Sequence, residues 1–169
     1  ERLNVYTLDI PNREIKVGLF DSLLPGYLRS EVDSGRVVIA DISARLKDRD
    51  TDGAMQLLAD FLKTVPYCHN TNYEGHYQQM LYIIFALLTD YNIVVEQRTA
   101  KGRIDMSLET GDTIYVLELK FDRSANEALA QIETKRYAAA FKTKGKKIVK
   151  VGLNFAMKDG VNTLEWKIG

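Results

Sequence analysis

The sequence predicts an α/β chain of the α+β kind: a sheet carrying helices, with a helical region in front of it. Three observations point there. Tyr77, Met80, Leu81, Ile84, Phe85 and Leu88 recur at i, i+3, i+4, i+7, i+8 and i+11, which is one stripe of a helix. Gly111-Asp112 separates two alternating apolar runs, the signature of a two-residue hairpin. A helical pattern over 124–141 then separates that hairpin from a further strand at 148–155.

The elements follow in order. Residues 4–10 alternate like a short strand, and Pro11-Asn12 breaks it. Asn12 can cap a helix to about Tyr27, interrupted near Pro25-Gly26. A second helix is expected over 36–47. The run Asp48-Arg49-Asp50-Thr51-Asp52-Gly53 matches the first half of a calcium loop, D-x-D-x-D-G. The twelfth loop position is Ala59, where that motif needs a bidentate Glu, so the run reads as an acidic turn capping a helix over 53–63. Pro66 and residues 68–72 separate this helical part from the next. The striped helix starts near Tyr73, with Thr71 or Asn72 as its cap. Strands follow at 92–98, 102–109 and 113–121. Ser124 and Glu127 fit a capping box opening the helix 124–141. A basic loop, 142–147, leads to the strand 148–155, and Asp159-Gly160 turns into a last strand, 161–168. Two regions result: a helical one at 1–70 and an α/β one at 71–169.

The chain has 169 residues, 46% hydrophobic and 27% charged, which suits one ordinary core. The formal net charge is zero, unlike the basic balance of a domain that coats nucleic acid by bulk electrostatics. Cys68 is the single cysteine, so no intrachain disulfide forms. A reducing, cytoplasmic setting tolerates that. No run approaches the roughly 18 apolar residues of a membrane helix, and no signal peptide is visible. The first residue is Glu1, and the chain reads as a segment of a longer polypeptide.

The hairpin carries the chemistry. If Gly111-Asp112 is the turn, Thr110 pairs with Thr113, Leu108 with Tyr115, and Asp105 falls opposite Glu118. Directly opposed residues have Cβ atoms roughly 5 Å apart, where like charges are destabilising. On strand 113–121, Tyr115, Leu117, Leu119 and Phe121 point one way, and Val116, Glu118 and Lys120 the other. On strand 102–109, Ile104, Met106 and Leu108 take the apolar side, with Arg103, Asp105 and Ser107 opposite. Two facing carboxylates suit a divalent cation. Mg²⁺ prefers hard oxygen ligands, and a bound ion polarises a phosphoryl oxygen and acidifies water. Asp105 and Glu118 would hold the metal, and the backbone carbonyl of Leu119 between them would add a ligand. Lys120 would serve the attacking water or the developing charge. The competing interpretation is a solvated hairpin face, with Arg103 and Lys120 neutralising Asp105 and Glu118. Glu-x-Lys alone is uninformative, since it recurs at Glu14–Lys16, Glu133–Lys135 and Glu165–Lys167.

Several strings add to this pattern: Gly102-Arg103-Ile104-Asp105, Leu117-Glu118-Leu119-Lys120, Ala128-Leu129-Ala130-Gln131-Ile132, Lys135-Arg136-Tyr137-Ala138 and Val151-Gly152-Leu153-Asn154-Phe155. With the order helix, three strands, helix, strand, they resemble the PD-(D/E)-x-K nuclease superfamily from Tyr73 to about Trp166. More narrowly, the chain resembles the nuclease-like domain at the C-terminus of predicted AAA-type ATPases. Residues 4–27, with Ile10-Pro11-Asn12, resemble the tail of such an ATPase region. The chain lacks a Gly-x-x-x-x-Gly-Lys-Ser/Thr loop, so any ATPase activity lies upstream in the same polypeptide. The resemblance implies a restriction-endonuclease-like core, a mixed sheet of four to five strands flanked by helices. It implies Mg²⁺ or Mn²⁺ and hydrolysis of a nucleic-acid backbone, DNA in preference to RNA. It points to Asp105, Glu118 and Lys120 as active-site residues. It adds Glu74 as an acidic position holding a metal-bound water, Gln131 as a polar position near the metal, and Lys135 as a phosphate contact. The Gly-Arg-Ile-Asp string stands where the superfamily's name has Pro-Asp.

Alternatives remain for each of these. Glu74 could only favour a helix N-terminus by its charge, and Gln131 could be an exposed helix residue. Lys142, Lys144, Lys146 and Lys147 read as a solvated turn or a track for phosphates. Cys68, His69 and His76 lack the second thiol and paired spacing of a zinc site. As a whole, the rival to catalysis is a catalytically inactive module of the same fold that binds nucleic acid or regulates an attached ATPase.

Overall fold

The computed structural model describes residues 14, 15, 18, 22, 32–64, 81, 82, 84, 85 and 92–169. Helix α1 spans Val32–Lys47 and α2 spans Thr51–Lys63. Asp50 caps α2, its carboxylate accepting from the Gly53 N–H at 2.9 Å and from Arg45. The acidic turn is therefore a helix start, as its sequence suggests. Ile39, Ile42 and Leu46 of α1 and Met55, Leu58 and Leu62 of α2 are buried at helical spacing. Leu81, Ile84 and Phe85, from the stripe expected over 77–88, are helical and fully buried with them. The expected strand at 4–10 lies outside the described residues. No helix among the described residues is long and apolar enough to cross a membrane.

Five strands follow: β1 (Asn92–Thr99), β2 (Gly102–Glu109), β3 (Thr113–Phe121), β4 (Lys147–Lys158) and β5 (Val161–Ile168). They form one sheet in chain order, antiparallel except for the parallel pair β3 and β4. A parallel step needs a crossover, supplied by α3 (Ala125–Thr134) and a 3₁₀ segment, Tyr137–Lys144. This is the mixed sheet with flanking helices expected of a restriction-endonuclease-like fold.

The two sheet faces bury separate clusters. On one, α1, α2, Leu81, Ile84 and Phe85 pack on Met106, Leu108, Tyr115, Leu117, Leu119, Val151 and Leu153. Tyr115 Oη donates to the Leu46 carbonyl at 3.0 Å, and Trp166 Nε1 to Asp52 at 3.0 Å, tying the early helices to the sheet. On the other face, Ile132, Tyr137 and Phe141 cover Ile104, Ile114 and Val116.

Two expectations are corrected here. The single helix over 124–141 ends at Thr134, and Arg136 takes a left-handed φ of 53°. The buried stripe Ala125, Ala128, Ile132 would have continued onto Lys135, Arg136 and Ala139. Breaking the helix instead turns Tyr137 and Phe141 inward. The second correction concerns Ile104, which joins the α3-side cluster while Met106 and Leu108 lie on the opposite side. Alternation along β2 therefore inverts at Asp105.

Candidate functional site

The hairpin register matches the sequence count from the turn down to Met106, and the expected Asp105–Glu118 pair lies just beyond the ladder. The Thr110 N–H donates to the Thr113 carbonyl at 2.8 Å, so Gly111-Asp112 is the turn. Leu108 pairs with Tyr115 and Met106 with Leu117. There the β2–β3 ladder stops. The next N–H of β3 facing β2, that of Leu119, donates to the Asp105 carboxylate at 2.9 Å. In an antiparallel strand the N–H and C=O of one residue point to the same neighbour. The Leu119 carbonyl thus lies along the edge that Asp105 occupies.

Glu118 is 1% exposed, on the face covered by α3. It sits beside Gly152 in the parallel register. A Cβ at Gly152 would come within 2.3 Å of the Ala125 carbonyl and 2.5 Å of the Leu129 N–H. Only glycine lets α3 lie this close to β4. That approach brings Gln131 to the sheet, where its Nε2 donates to Glu118 Oε1. Lys120 Nζ donates to the same oxygen at 2.8 Å, its side chain 16% exposed. Glu118 Oε2 is buried and, among the described residues, has no hydrogen-bond partner. A buried carboxylate oxygen without a donor is costly. Burial pushes the Glu118 carboxyl up to about 7; Lys120 opposes the rise and the negative charge of Asp105 adds to it.

Asp105, Glu118, Leu119, Lys120 and Gln131 are therefore brought together. Arg103 pairs with Glu96 at 3.2 Å. Lys120 does pair with Glu118, so half of the neutralised-face interpretation describes a real contact. Lys135 is the exposed C-cap of α3, its N–H bonded to the Gln131 carbonyl. Glu74, Cys68, His69 and His76 lie outside the described residues. Lys144 and Lys146 of the basic loop both bind Glu109, and Lys146 Nζ also donates to the Thr110 carbonyl at 2.7 Å. Those two lysines brace the hairpin.

Asn154 was given no role by sequence reasoning. It lies beside Lys120 in β4, is buried, and clasps Arg123 through both its N–H and its carbonyl at 2.9 and 3.0 Å. It thereby fixes the turn from β3 into α3. A polar residue inside the apolar run Val151–Phe155 was the available signal.

The donor set suits a hard divalent cation: two acidic side chains, one with a buried unsatisfied oxygen, and a carbonyl on the same edge. Comparison with known proteins agrees. A protein of Azotobacter chroococcum mcd 1, described as the uncharacterized protein in vnfD 5'region, is 30% identical over 158 residues. The match takes in 89% of this chain and 30% of that protein, so the chain spans under a third of the relative's length. No solved structure matches the chain. Residues 72–166, more than half the chain, match the family model of the PD-(D/E)XK nuclease superfamily, whose members typically use divalent metal ions and act on nucleic acid. With the register, the acid pair and the mixed sheet in agreement, this chain belongs to the PD-(D/E)XK nuclease superfamily.

Proposed function

We propose that this domain is a nuclease dependent on Mg²⁺ or Mn²⁺ that hydrolyses phosphodiester bonds, with DNA as the substrate. The observation that carries the reading is Glu118: buried, raised to about 7, and left with one oxygen lacking a donor among the described residues. A residue needed only for packing would not be an acid there. Asp105, Glu118 and the Leu119 carbonyl would hold the cation, which when bound supplies Lewis-acid polarisation of the phosphate and a more acidic water. The Leu119 N–H fixes the Asp105 carboxylate. Gln131 and Lys120 fix one oxygen of Glu118 and leave the other for the ion. Lys120 holds an ammonium beside the reacting position, where it can orient the water or offset developing negative charge. Glu74 is proposed as a further acidic contact to water and Lys135 as a contact to the phosphate backbone.

The division into a helical part, 1–70, and a nuclease part, 71–169, belongs to the same proposal. So do a cytoplasmic setting and an ATPase region upstream in the same polypeptide, which the resemblance of residues 4–27 supports. The test is calorimetry with Mn²⁺ followed by plasmid cleavage. Wild type should bind Mn²⁺ and nick plasmid; Asp105→Ala should lose both, with activity down about 10³-fold or more for loss of several kcal/mol of charge stabilisation. Absence of Mn²⁺ binding by wild type, with and without a DNA oligonucleotide, would overturn catalysis in favour of an inactive nucleic-acid-binding or regulatory module.

A further inference from the structure

We propose that Glu96 is a positioning residue: its left-handed backbone on β1 turns Asp105 into the metal site. The inference rests on the reading of Asp105 as a ligand. Glu96 has a φ of 53° inside a strand, a region that L side chains adopt at a cost. The register of β1 against β2 is the same on both sides of it: Val95 pairs with Met106 and Gln97 with Ile104. No residue is inserted, so this is not a bulge. The side chains nevertheless change sides at this point in both strands. Val95 packs on the α1–α2 cluster, as does Met106. Two residues on, Ile104 lies in the opposite cluster, and Gln97 Oε1 accepts from Ser107 Oγ at 3.1 Å. Ser107 pairs with Val116, which belongs to that opposite cluster too.

In an unbroken strand, residues two apart share a face. Ile104 would then join Met106, and β2 would keep its ladder with β3 past Leu117. Instead the inversion falls on Glu96 and the residue opposite it, Asp105. It frees the Leu119 N–H from a strand carbonyl and gives it to the Asp105 carboxylate. The Glu96 side chain plays no such part. It is half exposed and reaches Arg103, not the acid pair. The backbone conformation, and not the carboxylate, is the element the site uses.

The experiment separates these. Glycine and asparagine tolerate the left-handed region, whereas valine resists it. Glu96→Gly and Glu96→Asn should bind Mn²⁺ within about threefold of wild type, and Glu96→Val at least tenfold more weakly. A second readout needs no metal. In Glu96→Val the amide proton of Leu119 should shift in the same direction as in Asp105→Ala, while Glu96→Gly should leave it near its wild-type position. Weak binding by the glycine and asparagine variants would overturn the inference by implicating the carboxylate. A folded Glu96→Val with wild-type affinity and an unmoved Leu119 amide would overturn it as well. Should the valine variant not fold, Glu96→Ala, whose Cβ opposes the left-handed region more mildly, takes its place in both readouts, with weaker Mn²⁺ binding and a shifted Leu119 amide expected and wild-type values of both overturning the inference. Failure of Mn²⁺ binding in wild type would instead sink the metal reading, and the Leu119 amide would still report on the strand.

Discussion

The hairpin of β2 and β3 carries one glutamate near its turn and another at its open end, and the two are treated in opposite ways. Glu109 meets Lys144 and Lys146, its side chain is 19% exposed, and hydrogen bonds from those lysines hold its carboxyl below the usual range. Glu118 also meets a lysine, yet burial lifts it to about 7. Both have a cation, so pairing alone does not distinguish them. What differs is that every demand of Glu109 is met from within the chain, whereas Glu118 has a buried oxygen with no donor among the described residues and a second acid beside it. A structural acid is satisfied when the chain folds; an acid awaiting a cation is not.

The strongest challenge to that contrast is to remove the lysines. Lys120→Ala should cut plasmid cleavage about 10²- to 10³-fold, the cost of losing one charge-stabilising donor. Mn²⁺ binding, read by calorimetry, should persist, because Lys120 supplies no ligand. Lys144→Ala should leave cleavage unchanged. Equal activity of Lys120→Ala and wild type would remove Lys120 from the chemistry and make both lysines braces.

Protonation offers a second contrast, with signs that differ between the two glutamates. Glu118 has a folded-state pKa above its ordinary value of 4.5, so the folded chain holds that proton more tightly. Its contribution is most favourable below about pH 4.5 and is lost as pH rises through about 7. Across that window the change is on the order of 2–3 kcal/mol. In metal-free protein, the Tm of Glu118→Gln relative to wild type should therefore climb by several degrees from pH 5 to pH 8. Saturating Mn²⁺ should stabilise wild type at pH 8 and do little for Glu118→Gln. A difference independent of pH would show that burial does not perturb Glu118.

Much of this contrast was legible in the sequence. Gly111-Asp112 set the turn and with it the pairing down to Met106 and Leu117, so Glu118 and Lys120 could be placed by counting, whereas Asp105 lies just past the last pair, where alternation inverts. Helix α2 followed from the acidic run Asp48–Gly53 read as a capping turn, although it starts at Thr51, two residues before the expected position 53. What could not be read depended on contacts between distant segments. The reach of Gln131 to Glu118 requires Gly152, which lies 21 residues after Gln131 and 34 after Glu118, to admit α3 against β4. The break at Arg136 has no Pro or Gly to announce it; it serves Tyr137 and Phe141, whose partners Ile104 and Val116 lie on other strands. The inversion at Glu96 and Asp105 is silent for a similar reason, since glutamate carries no signal for a left-handed backbone. Local periodicity reports which face a residue prefers, and tertiary packing decides where that face must turn.

The smallest expected effect lies at the turn end. Glu109 has a lowered folded-state pKa, so its stabilisation is present above its ordinary pKa of 4.5 and is lost as pH falls through the folded value. Partly exposed ion pairs contribute at most about 1 kcal/mol. Glu109→Gln should accordingly lower Tm by no more than about 4 °C at pH 7, by calorimetry. As pH falls through that folded value the difference should vanish. Mn²⁺ affinity and cleavage should not change, because the lysines that serve Glu109 bind its oxygens and leave no room for a cation's claim. If Glu109→Gln weakened Mn²⁺ binding as Asp105→Ala does, the two ends of the hairpin would not be separable, and an unsatisfied carboxylate would lose its value as the mark of the site.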